Sequence, residues 1–94
     1  MSGSTTTPSF FYTYVLKSLK SQYRYVGFTD NLMERLLQHN QGLTFSTRPY
    51  RPFELVYFEG RKSKIDARRR EKYLKTTGGR RFLAKRIKNF PFSQ

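Results

Sequence analysis

Two aromatic-rich runs separated by a short, largely polar loop constrain how the start of this chain can fold. "SFFYTYVLK" (Ser9 to Lys17) and "QYRYVGF" (Gln22 to Phe28) are dense in aromatic and β-branched residues, and "SLKS" lies between them. Such residues pack well on a pleated surface, and a polar loop of about four residues joins two such runs as an antiparallel hairpin. With Ser18 to Ser21 as the loop, Lys17 pairs with Gln22, Leu16 with Tyr23 and Tyr14 with Tyr25. Opposed residues share a face of the sheet, so Tyr14 and Tyr25 are expected as neighbours.

The next segment predicts a helix over Asn31 to Gln41. Thr29, Asp30 and Asn31 are all plausible N-caps, Glu34 completes a capping box with Asn31, and Gly42 marks the stop. Leu32, Met33, Leu36 and Leu37 form its apolar stripe, with Arg35 and His39 four apart on one face beside it. "LTFSTRPYRPF" (Leu43 to Phe53), with two prolines, reads as a loop. "FELVYFEG" (Phe53 to Gly60) is a third strand. Ser63 and Asp66 open a helix over about Lys64 to Lys75, which Gly78 and Gly79 close, and "RRFLAKRIKNF" is a last short helix stopped by Pro91. The expected class is α+β: a small three-stranded antiparallel sheet flanked by helices, in the order β-β-α-β-α-α. Residues 1–9 read as a disordered leader, 10–90 as one domain and 91–94 as a tail.

Ninety-four residues leave room for a single core. With no Cys and one His, disulfides, Cys-based metal sites and a multi-His zinc site are excluded, and the chain suits a reducing compartment such as the cytoplasm. No apolar run reaches the ~20 residues of a membrane span, and the polar start is no signal peptide.

Charge points to the partner. Nineteen Lys and Arg stand against six acids, a net charge of +13. Thirteen of the basic residues fall in 61–88, beside only Asp66 and Glu71. Such a field attracts polyanions, nucleic-acid phosphate above all. Arg68, Arg69, Lys72, Lys75, Arg80 and Arg81 are the expected contacts. A solvated helix face and a salt-bridged Glu71 are the plain alternatives. Read one residue at a time, the chain is a basic nucleic-acid-binding domain.

The joint spacing says more. "YTY" ends at Tyr14, "YVG" begins eleven residues later at Tyr25, Arg35 follows ten residues on, His39 four further, and Glu71 sits in "ARRREKYLK". This pattern resembles the GIY-YIG nuclease superfamily over about Phe10 to Leu83, most closely its small stand-alone bacterial members. The resemblance implies a DNA endonuclease that hydrolyses one phosphodiester with a single divalent ion, Mg²⁺ or Mn²⁺. It implies that Tyr25 is the general base or positions the water, with His39 the alternative base. Tyr14 would support Tyr25, Arg35 would hold the scissile phosphate, and Glu71 would bind the metal. Many members place an Asn after the glutamate; here the only late one is Asn89. A lone basic domain suggests action on a DNA structure, in repair or recombination, or a recruiting protein. The other reading is a non-catalytic nucleic-acid-binding module of the same fold, with RNA the less favoured ligand.

Overall fold

In the computed structural model, which describes residues 10–87, the two aromatic runs form β1 (Phe11–Ser18) and β2 (Arg24–Thr29), followed by α1 (Leu32–Asn40), β3 (Phe53–Arg61), α2 (Lys64–Leu74) and α3 (Thr77–Arg86). The order is the expected β-β-α-β-α-α. The sheet is antiparallel in the order β2-β1-β3, so the first strand is the central one. The leader, Asn89, Pro91 and the tail lie outside the described residues.

The hairpin register differs from expectation by two residues. Leu16 faces Tyr25, and Tyr14 faces Gly27. The cause is a longer loop. Ser18 stays in the ladder, its N–H donating to the Tyr23 carbonyl at 2.9 Å. Lys17, only 4% exposed, turns its ammonium onto the Ser18 and Ser21 carbonyls at 3.0 and 2.6 Å. Because side chains alternate with a period of two, a two-residue shift keeps Tyr14 and Tyr25 on one face, as diagonal rather than opposed neighbours.

Helix α1 covers that face, where Tyr14, Leu16 and Phe53 form a core with Leu32, Leu36 and Leu55 against it. Only half of the expected stripe is used. Met33 and Leu37 are 70% and 56% exposed, because a helix on so narrow a sheet buries one ridge and the next residues rotate about 100° away. Asn31 caps α1 by accepting from the Glu34 N–H, and its amide donates back to the Glu34 carboxylate. At the other end, Asn40 exchanges hydrogen bonds with the backbone of Phe53, fixing where β3 begins.

Helices α2 and α3 cover the opposite face. Val15, Leu74 and Leu83 form the core there, and the Thr13 hydroxyl donates to the Ala67 carbonyl at 2.8 Å. A bulge in β3 leaves Val56 between the partners of Val15 and Leu16. Tyr57 therefore packs on the α3 side and Leu55 on the α1 side. Gly78 and Gly79 open α3 instead of closing α2, with Thr76 as its N-cap. Gly79 is required because a Cβ there would sit 2.1 Å from the Tyr73 carbonyl oxygen; the helices touch backbone to backbone.

The 43–52 segment contains a 3-10 turn at Arg48–Tyr50. Tyr50 stacks on Tyr23 with centroids 4.0 Å apart, and its carbonyl accepts from the Ser18 hydroxyl at 2.6 Å. Among the described residues no helix is long and apolar enough to cross a membrane.

Candidate active site

The site is built from β1 outward. Tyr14 is buried at the sheet centre, and its ring lies across β2 over Gly27, where a Cβ would come within 2.5 Å of the phenol Cζ and Oη. A glycine inside a strand commonly marks such a close approach. This makes Gly27 part of the site, although sequence reading gave it no role. Tyr25 stands beside Tyr14, ring centroids 6.1 Å apart, and is only half-buried.

His39 reaches the same cluster from the last turn of α1. It is fully buried, with its ring 4.9 Å from that of Tyr25. The Tyr14 hydroxyl lies 2.9 Å from His39 Nε2, and Nδ1 lies 2.9 Å from the Thr47 hydroxyl. Thr47 is also fully buried and donates to the Thr44 carbonyl at 3.4 Å. That donation assigns the direction of the chain. Thr47 accepts from Nδ1–H, so Nε2 accepts from Tyr14. Burial, reinforced by the Arg35 charge, lowers the His39 pKa to about 4, so the ring is neutral at pH 7. Thr47 escaped sequence reading because it lies in a proline-rich loop with no motif. The loop's packing on Tyr23 is what carries it inward.

Arg35 sits one turn before His39 on α1, where Gln38 Oε1 accepts from its guanidinium at 2.9 Å. Burial pushes the Tyr14 phenol up to about 12, while the Arg35 guanidinium beside it acts in the opposite direction. Tyr14, Tyr25, Arg35 and His39 are thus brought together on one face, with Tyr14 protonated at neutral pH.

Glu71 comes from the other layer, on α2, one turn from Ala67 and Leu74, which face the sheet. Its charge is the last of those that bear on the Tyr14 phenol, after Tyr25 and Arg35, and acts to raise its pKa. Its side chain is 14% exposed and held by Arg68 at 3.3 Å and Lys75 at 3.1 Å. Arg68 lies 4.3 Å over the Phe28 ring of β2. Two of the expected nucleic-acid contacts therefore neutralise Glu71. Arg69 pairs loosely with Asp66 at 3.8 Å, and Lys72, Arg80 and Arg81 are exposed. Between β2, α2 and α3 a cleft of about 580 Å³ is lined by Arg24, Tyr25, Lys75 and Arg80.

No group of three or more His, Asp or Glu gathers to cage a metal among the described residues. The donor set fits a different arrangement. One carboxylate that already collects two cations suits a single hard ion whose remaining shell is water and phosphate oxygen, as Mg²⁺ prefers.

The sequence model of the GIY-YIG catalytic domain matches residues 10–87. Over 65 residues the chain is 43% identical to a UPF0213 protein of Clostridium perfringens, an alignment covering 68% of this chain and 69% of that one. A UPF0213 protein of Staphylococcus haemolyticus is 41% identical over 66 residues, 69% of this chain and 79% of its own.

Proposed function

The chain belongs to the GIY-YIG catalytic-domain family, and on that premise we propose that it is a DNA endonuclease hydrolysing one phosphodiester bond. The observation that carries this reading is the buried Tyr14–His39–Thr47 chain placed beside Arg35 and Tyr25. On the opposite face the neighbouring β1 residue, Val15, packs on Leu74 and Leu83, so core packing alone does not call for a buried histidine bonded at both ring nitrogens.

The side chains divide the work as follows. His39 takes the Tyr14 proton into a hydrogen bond, which turns the lone pairs of Tyr14 Oη away from the ring and toward the Arg35 side. His39 is a positioning residue, since Nε2 is occupied by Tyr14 and the ring is buried. The half-buried Tyr25 Oη accepts a hydrogen bond from the attacking water and aims it at phosphorus; it takes the water's proton only as phenolate, after its own phenol proton has passed to solvent, and otherwise the water's proton goes directly to solvent. The water oxygen bonds to phosphorus, the bond to the leaving sugar oxygen breaks, and Arg35 offsets the charge gathering on the phosphoryl oxygens. Glu71 would hold Mg²⁺ or Mn²⁺, which supplies further charge neutralisation and a more acidic bound water. Incoming phosphates draw Arg68 and Lys75 away from Glu71, and with Arg69, Lys72, Arg80 and Arg81 these cations bind the backbone without reading sequence. A cut selected in this way would belong to DNA repair or recombination, with targeting left to DNA structure or a recruiting protein.

The test is cleavage of plain, nicked, flapped and branched DNA by the purified protein with Mg²⁺ or Mn²⁺. Wild type should cut at least one of these, while Glu71→Gln should cut none yet bind DNA as tightly or more so. If wild type cuts none of them and calorimetry finds no ion bound in the presence of DNA, the chain is a binding module and the enzyme reading is wrong.

A further inference from the structure

The face that carries Tyr14 continues past it as an aromatic surface that no catalytic role uses. On β3, Phe58 is paired directly opposite Tyr14, and Gly60 opposite Tyr12. All four therefore share the face on which Tyr25 and His39 lie. The Tyr12 and Phe58 rings meet edge-on with centroids 6.0 Å apart, and Phe10 and Tyr12 are 6.4 Å apart. A Cβ at Gly60 would be 3.2 Å from the Tyr12 ring and 3.7 Å from the Phe10 ring. Both rings thus lie down over bare backbone. Phe58 nevertheless remains 51% exposed and Phe10 38% exposed, while Lys62 holds its ammonium 5.2 Å from the centre of the Phe10 ring.

We propose that Phe10, Tyr12 and Phe58 form a stacking platform for an unpaired nucleobase of the DNA strand whose phosphate lies at Tyr14 and Arg35. The proposal rests on the nucleic-acid reading above and adds its substrate class: DNA with a single-stranded segment at the cut.

Three features favour this occupant. Exposed aromatic rings on an open sheet face attract bases, because every base presents a π-face, whereas a continuous duplex keeps its bases stacked on one another. Lys62 beside the rings, on a chain of net charge +13, complements the phosphate that accompanies each base. The platform is also continuous with the catalytic cluster, since Phe58 is the cross-strand partner of Tyr14, one strand spacing of about 5 Å away. A base stacked there belongs to a nucleotide next to the scissile one.

The test is run in EDTA, so that binding is read without cleavage. The probes are a single-stranded DNA of roughly twelve nucleotides carrying 2-aminopurine and a blunt duplex of the same length. Wild type should quench the 2-aminopurine of the single strand and bind it. Phe58→Ala should relieve the quenching and weaken single-strand binding about fivefold to a hundredfold, the range for one lost base stack. Duplex binding, governed by phosphate contacts, should stay within about twofold. Phe58→Trp should restore the single-strand signal. Phe10→Ala is the second variant, should Phe58→Ala melt earlier than wild type. The platform is refuted if single-strand binding is indifferent to both variants, if duplex binding falls equally, or if sedimentation shows a dimer that Phe58→Ala dissociates, which would make a second copy the occupant. Quenching without any metal-dependent cleavage would sink the nuclease reading and leave the platform standing; cleavage with indifferent Phe58 variants would do the reverse.

Discussion

On the face of the sheet under α2 and α3, β1 contributes Val15 to an aliphatic core, and Glu59 is ringed by protein donors, although Arg61 Nε beside it is buried without a hydrogen-bond partner. Glu59 accepts from Arg70 at 2.7 and 3.0 Å, from Arg61 at 2.9 Å and from the Tyr57 hydroxyl. On the face under α1, the adjacent residue of the same strand is Tyr14, and near it lie a buried histidine, a buried threonine and the Arg35 guanidinium, which engages both Gln38 and Tyr14. The two faces differ in what their polar groups are free to do. Around Glu59 every partner is protein, so the charges serve stability. Around Tyr14 the buried chain reaches Arg35 and Tyr25, and Tyr25 also lines the cleft between β2, α2 and α3. Glu71 belongs by helix to the first face and by charge to the second.

Two matched variants test that division most severely. Glu71→Gln should reduce cleavage by at least about a hundredfold, the scale of losing a charge-stabilising group, and lower the melting temperature less than Glu59→Gln, since its partners Arg68 and Lys75 are themselves more than half exposed. Glu59→Gln should do the opposite. It should cost about 1.5–3 kcal/mol, the scale of hydrogen bonds to a charged group, with cleavage per folded molecule unchanged. Burial would raise the Glu59 pKa, but the hydrogen bonds from Arg70, Tyr57 and Arg61 outweigh it and hold the carboxyl below its usual range. Its stabilisation is therefore present above the unfolded carboxyl pKa and lost as pH falls through the lower folded value. Denaturant melts and initial rates on both variants decide the matter. If both lose activity and neither loses stability, the two faces are not distinct.

His39 gives the next largest effect. It is the single histidine, so stability changes between pH 6.5 and 5 belong mainly to it. Its folded pKa, lowered to about 4, lies below the unfolded value near 6.5. The unfolded chain thus binds more protons in this window, and stability must fall as pH falls. The slope should approach about 1.4 kcal/mol per pH unit below pH 6, and His39→Gln should flatten it. An equally steep slope in the variant would show that His39 is not the group responsible.

The smallest effect sharpens the comparison within the α1 face. Thr47→Val keeps the shape but leaves Nδ1–H buried without its acceptor, a cost of about 1–2 kcal/mol. The ¹⁵N chemical shifts of His39 should move toward the other tautomer or toward a mixture, and Tyr14 should lose its fixed acceptor. Unchanged shifts would mean that Thr47 merely fills space.

Much of this molecule was legible in its sequence, and the residues that were not share a physical cause. The strands, the caps at Asn31 and Ser63 and the three-helix order follow from local chemistry, which acts over three or four residues. The hairpin register differs by two residues because the expectation takes Ser18 to Ser21 as the loop, whereas Ser18 stays hydrogen-bonded to Tyr23 and Lys17 folds back onto loop carbonyls. Gly78 and Gly79 were read as a stop because glycine usually ends helices; here Gly79 answers to Tyr73 in a neighbouring helix. Tyr14, Tyr25, Arg35 and His39 were found together through their spacing. Thr47, Gly27 and Gln38 were not, since their importance comes only from what the fold lays against them. That Glu71 stands on α2, in the other layer from Arg35 and His39 on α1, is likewise information that no linear spacing carries.

The inward turn of Lys17 has a use at the bench. Lys20, Lys62, Lys64, Lys72, Lys75 and Lys85 are exposed, so an acylating reagent should modify them at the rate of free amines. Lys17 can react only after its ammonium leaves the Ser18 and Ser21 carbonyls, which requires the β1–β2 loop to come apart. Pulse labelling followed by mass spectrometry of the peptide containing Lys17 would therefore time the opening of the central strand's hairpin, with the other lysines as the internal standard for reagent. In a titration with DNA, Lys72 and Lys75 should become shielded by phosphate, while Lys17 should slow only if binding stabilises the hairpin itself. One side chain thus offers a clock for local unfolding that needs no engineered probe.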